Sequence, residues 1–155
     1  MPTFKEGKLV PYTIQQMHHL VIDVEKYPEF LPWCSAVRVL ERNAQQEATI
    51  ADTLISYKAF SERYTSKIIS EWDASGHNAT IKVEAISGPF EHLNTEWQFT
   101  SQGKSTFVNF SIDFRFKSAL LENLMGLFFA KICDKMMAAF LARAKALYEK
   151  CENRE

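Results

Sequence analysis

Catalysis needs acids, bases, nucleophiles or metal ligands at particular spacings, and this chain offers few. It has no G-x-S-x-G elbow, no H-E-x-x-H helix, no Walker A loop and no dinucleotide fingerprint. His18 and His19 are adjacent, so on a helix they diverge by about 100° and cannot easily share one metal. His92 stands beside a Gly-Pro-Phe turn, where a surface or hydrogen-bonded structural role is expected. Asp52 falls in a β-branched run. An exposed strand position is expected for it, because unpaired buried carboxylates are rare. A cyclase-type enzyme wants an acid–base pair inside a cavity, and no pair stands out. Cys34, Cys133 and Cys151 are odd in number and lack C-x-x-C spacing, which indicates neither a disulfide framework nor a zinc site. Three free thiols in a reducing compartment are expected, with Cys34 and Cys133 at least partly buried. No catalytic residue and no metal site is assigned.

What the chain has in quantity is rings. Its 155 residues include 12 Phe, 5 Tyr and 3 Trp, or 13%, beside only 5 Gly and 5 Pro. Tyr27, Phe30 and Trp33 are three apart and share a side of a short turn. They either plug the end of a core or form a lid over a cavity mouth, stiffened by Pro28 and Pro32. Phe90, Leu93, Trp97 and Phe99 read as core, aimed by a turn or bulge at Gly88-Pro89. The Trp97 indole N–H needs a partner if a cavity is there. Met125, Phe128, Phe129, Ile132, Met136 and Phe140 read as a core stripe. Met and Phe walls also suit variable apolar ligands.

Composition removes whole classes. With 46% hydrophobic residues and a net charge of −1, the chain is not disordered. Its length suggests one domain over residues 1–155. No apolar run approaches the roughly 18 residues of a membrane-spanning helix. The first residues lack the apolar h-region of a secretory signal, so a cytoplasmic protein is expected. A pI near 6.4 gives no footprint for DNA. Lys131, Lys135, Arg143, Lys145, Lys150 and Arg154 form a basic edge answered by Glu122, Asp134, Glu149, Glu152 and Glu155, which reads as a solvated face.

The elements that must position the rings follow from periodicity. Thr13 to Gln16 is a capping box, and Ile14, Met17, Leu20, Val21 and Val24 trace one helical face, with a stop expected near Tyr27 before Pro28. The segment EFLPWC then allows about one turn of helix. From Ala36 to Phe116 the pattern is period 2 in about six antiparallel strands, clearest over Val108 to Phe116. A last helix runs from about Ala119 to Lys150 with Ser118 as N-cap. Its expected stripe is Leu121, Leu124, Met125, Phe128, Ile132, Met136, Phe140 and Leu147, widened by Phe129 and Met137, and its tail is long enough to project or to pack alone. A sheet wrapped around that helix buries both and tends to leave a cavity between them.

Three stretches carry a resemblance: DVEKYPEFLPWC at 23–34, GPFEHLNTEWQF at 88–99, and FSIDFRFKSALLENLM at 110–125 followed by FLARAKALY. They resemble the coenzyme Q-binding branch of the START-like/polyketide cyclase superfamily, a branch that includes the bacterial ribosome association toxin. The resemblance implies an α+β helix-grip fold. In it, a curved antiparallel sheet of about seven strands wraps a long C-terminal helix, with two short N-terminal helices. It implies a non-enzymatic protein that holds ubiquinone or another isoprenoid lipid in a tunnel. Such a protein is a quinone carrier or chaperone supporting respiration, in transient contact with the inner membrane surface, with no required cofactor. The resemblance also implies two alternatives, a toxin that binds the large ribosomal subunit and blocks subunit joining, and a cyclase-like enzyme. In the helix-grip arrangement the ligand space is bordered by Tyr27, Phe30, Trp33, Phe90, Trp97, Phe110, Phe114, Met125, Phe128, Phe129, Ile132 and Met136.

Overall fold

The computed structural model describes residues 3–43, 45, 48–57 and 60–149. Within them the strands are β1 (Thr3–Val10), β2 (Cys34–Asn43), β3 (Ala48–Tyr57), β4 (Phe60–Trp72), β5 (Asn78–Ser87), β6 (Phe90–Gln102) and β7 (Ser105–Phe116). They form one antiparallel sheet in the order β1-β7-β6-β5-β4-β3-β2. Helix α1 (Ile14–Ile22) and a 3-10 helix (Val24–Glu29) join β1 to β2, and α2 (Ala119–Ala144) follows β7. This is the α+β helix-grip fold, a curved sheet closed around its C-terminal helix.

Hairpins follow from their turn residues. Gly103, at φ 77°, turns β6 into β7, and Gly76, at φ 74°, turns β4 into β5. The β4–β5 turn is fastened by Asp73, which accepts from Ser75 and from the Asn78 side chain. Register shifts interrupt β2–β3, β4–β5 and β6–β7. Such bulges bend a sheet and deepen its twist, which lets this one curl around α2.

Alternation along β7 is clean: Val108, Phe110, Ile112, Phe114 and Phe116 are all buried, while their neighbours face out or are half-covered. The inner face meets α2 through Met125, Phe129, Ile132, Cys133, Met137, Phe140 and Ala144. The centre of the helical stripe is therefore Phe129 and Met137, not the row through Leu124 and Leu147. Those two are 49% and 38% exposed. A one-residue rotation of the stripe is hard to read from a helix apolar on most sides.

Helix α1 begins on the expected capping box, Thr13 accepting from the Gln16 N–H and Gln16 answering to the Thr13 N–H. It stops earlier than Pro28 suggests. Asp23 leaves the helical region at ψ 67°, and the chain re-enters a 3-10 helix that contains Pro28. The expected single turn thus lies at Val24–Glu29, ending on the first residue of EFLPWC. The tail of α2 does not project. It widens into a π-helical turn, Lys145–Glu149, and Tyr148 donates to the Gln16 carbonyl at 2.9 Å while Tyr12 donates to Glu149 at 3.1 Å. The end of the chain's last helix is tied back to α1. Lys150, Cys151, Glu152, Arg154 and Glu155 lie outside the described residues.

Candidate functional site

A partly open space of about 90 Å³ lies between the sheet and α2. Each surrounding element contributes by its own periodicity. Strands β6 and β7 present Leu93, Thr95, Trp97, Phe110 and Ile112, and β3 to β5 present Thr53, Ile55, Tyr64 and Val83. Helix α2 presents Phe129, Ile132, Met136 and Phe140. The covering segment gives Tyr27, Leu31, Trp33 and Cys34.

Of the rings and side chains expected from the sequence, Tyr27, Trp33, Trp97, Phe110, Phe129, Ile132 and Met136 converge on this space. The others do not line it. Phe114 is fully buried against Phe129, centroids 4.5 Å apart. Phe90 stacks on Phe116 at 4.7 Å, and Met125 is buried in the same end of the core. Phe128 packs half-buried on the edge of that core. Phe30 sits one layer out, edge-on to Phe140 at 5.2 Å and to Tyr27 at 5.8 Å. Sequence reasoning missed Thr53, Tyr64 and Thr95. Their signal was only the inward parity of β3, β4 and β6, and weak alternation in β4 hid it.

The lining contains no charged side chain. Its polar groups come from tyrosines, threonines, a thiol and the indoles of Trp33 and Trp97. Tyr27 donates its hydroxyl to the Val21 carbonyl, and burial raises its pKa well above the ordinary range for a phenol. Burial also lifts the Cys34 thiol to about 11 and that of buried Cys133 to about 12. Both are free and protonated near neutrality, so neither is a poised nucleophile.

The cover over this space is latched from outside. Arg143 on α2 donates to Glu29 at 2.8 Å, with its guanidinium 5.2 Å from the centre of the Phe30 ring. That hydrogen bond holds the Glu29 carboxyl below its usual range. Arg143 is only 20% exposed, so it is not part of the solvated basic edge expected for α2.

The remaining titratable candidates lie elsewhere. His18 Nε2 is 2.6 Å from Ser70 Oγ and its ring is 4.7 Å from Trp72. Burial, then the charge of His19, lowers its pKa. His92 Nε2 is 3.1 Å from Asp113 Oδ1 and makes no hydrogen bond. Asp52 is more covered than expected, 19% exposed, accepting from Thr65 with Arg63 at 4.0 Å. It faces away from the cavity, because the neighbouring pair Thr53 and Tyr64 faces in. No cluster of His, Cys, Asp or Glu suited to a metal occurs among the described residues.

Comparison with known proteins matches this architecture. The chain is 39% identical over 145 residues to "Ribosome association toxin RatA" of Rickettsia prowazekii, covering 94% of this chain and 97% of that protein. It is 29% identical to "Coenzyme Q-binding protein COQ10 homolog B, mitochondrial" of Xenopus laevis, covering 96% of this chain and 60% of that one. The solution structure of the 18 kDa protein CC1736 from Caulobacter crescentus superposes with a TM-score of 0.70 at 31% identity, over 96% of this chain and 99% of that one. A family model described as "Polyketide cyclase / dehydrase and lipid transport" matches residues 10–141. With its sheet wrapped on α2 and that match over most of its length, the chain belongs to the polyketide cyclase/dehydrase and lipid-transport family.

Proposed function

We propose that this protein binds an isoprenoid lipid of the ubiquinone class between its sheet and α2 and serves as a carrier or chaperone rather than an enzyme. The observation that carries the reading is a charge-free apolar lumen under a small latched cover. Burial supplies the affinity: each CH₂ removed from water contributes about 0.8 kcal/mol, so a branched prenyl tail binds without special contacts. The lumen lacks the acid–base pair that cyclase chemistry asks for.

Size sharpens the mechanism. A cavity of about 150 Å³ is what holds a benzene, and this one is about 90 Å³. A quinone ring with a tail enters only if the lumen widens. The segment able to yield is the cover, residues 24–33, held by the Arg143–Glu29 latch and the Tyr27, Phe30 and Phe140 rings. The protein then works in the cytoplasm at a membrane surface, where such lipids reside. Native mass spectrometry of protein isolated under mild conditions checks this: a stoichiometric lipid-sized adduct, lost on solvent extraction, is expected. Protein carrying no adduct, and taking none up from quinone-loaded vesicles, overturns the reading.

A second reading rests on the near full-length relatives named as ribosome association toxins. On it, the surface docks on the large ribosomal subunit. Sedimentation of extracts at low salt separates the two, because phosphate-dominated binding falls steeply with added salt.

A further inference from the structure

We infer that the Tyr64–Thr53 pair is the receptor for the ligand's polar end, and that it selects an uncharged lipid bearing a carbonyl or hydroxyl oxygen. This rests on the lipid-binding reading above and names the chemistry of its polar end.

Tyr64 and Thr53 are direct partners across the β3–β4 ladder, and both line the lumen. Burial raises the Tyr64 phenol above its ordinary range, and the Thr53 hydroxyl works against that rise. A donor facing the phenolic oxygen has that effect. The phenol, kept protonated near neutrality by its burial, is a hydrogen-bond donor on the lumen wall. The lumen's other phenol, Tyr27, already donates to Val21.

The surroundings hold this pair in place. Gly88, at φ 128°, crosses directly over Tyr64: a Cβ there would lie 2.7 Å from Tyr64 Cβ and 2.9 Å from its Cα. Phe90 then meets the Tyr64 ring edge-on at 5.5 Å. The Gly-Pro-Phe stretch thus sets the position of a phenol in the neighbouring strand. Selection against charge follows from the walls. No cation lines the lumen, so an ionised carboxylate or phosphate would enter uncompensated at a cost far above one hydrogen bond.

Three probes test this on the full chain, delipidated and titrated by fluorescence of the lumen tryptophans: a short-chain ubiquinone, the branched hydrocarbon pristane, and ionised palmitate. Wild type should bind the quinone most tightly and palmitate least. Tyr64→Phe should weaken the quinone about five- to tenfold, the worth of one net hydrogen bond, and leave pristane unchanged. Thr53→Val should weaken the quinone by a smaller factor in the same direction. Equal losses for quinone and pristane, no loss for either, or palmitate binding as tightly as the quinone each overturns the inference while leaving a lipid cavity in place. Failure of both quinone and pristane to bind removes the cavity reading and this inference together.

Discussion

The two ends of the grip share one sheet and one helix yet differ in filling. At the α1 end, Met17, Val21, Ile81, Phe99, Val108 and Met137 are all at most 1% exposed. There α1 packs on β5, β6, β7 and α2 together. At the other end sheet and helix are no poorer in large side chains; Trp97 and Phe110 of the sheet and Phe129 and Phe140 of α2 all stand there. What differs is the cover, a six-residue 3-10 helix that leans chiefly on β2. Hollowness here comes from a missing helical layer, not from missing bulk. Close packing is the default for interiors, which is why we propose the hollow bordered by rings and a latch as the place of a ligand.

Mutations should divide the molecule along that line. The largest effect belongs to the backbone crossing that frames the lumen: Gly88→Val should destabilise by about 3 kcal/mol or more, through a positive φ and a backbone clash, read by urea denaturation. Next, Met17→Ala at the filled end should cost about 2–5 kcal/mol, because its neighbours cannot collapse into the gap. Met136→Ala at the hollow end should cost only about 1–2 kcal/mol, since it enlarges a space already present. Equal losses at Met17 and Met136 would erase the distinction between the ends.

Titration sharpens the same contrast. The folded His18 pKa lies below its ordinary value, so on acidification the unfolded chain takes up this proton first. Its contribution is complete above about pH 6.5 and is lost as pH falls from there through the folded value. His18→Gln should flatten that part of the stability profile measured by thermal unfolding. The smallest effect on stability is expected at the latch. Glu29 is half-exposed and keeps a hydrogen-bonding amide oxygen as Gln, so Glu29→Gln should leave unfolding nearly unchanged while speeding ligand release in stopped-flow. Wild type should show the same speeding as pH falls through the carboxylate range, because the folded Glu29 pKa is depressed.

Much of the fold was legible because its signals are local. The Thr13 capping box, the parity of Val108 to Phe116 and the hairpin glycines each depend on neighbours a few residues away. The site was half legible. Trp97 and Ile132 follow from strand and helix parity, whereas Phe114 and Phe129 share a face of the core but only Phe129 reaches the lumen. That difference depends on depth along α2, which periodicity does not encode. Tyr64 was invisible for another reason: its proposed role depends on Thr53 across one ladder and on the close approach of Gly88, and neither relation is read from neighbouring residues.

The central claim is that the hollow end accepts a ligand while the filled end does not. Its most direct measurement is an equilibrium titration of delipidated protein with a short-chain ubiquinone, run beside Val83→Phe, which places a ring inside the lumen. Saturable one-to-one binding by wild type, abolished in a variant that still unfolds cooperatively, is the predicted result. Absence of binding to wild type, or undiminished binding to the filled variant, would contradict the account.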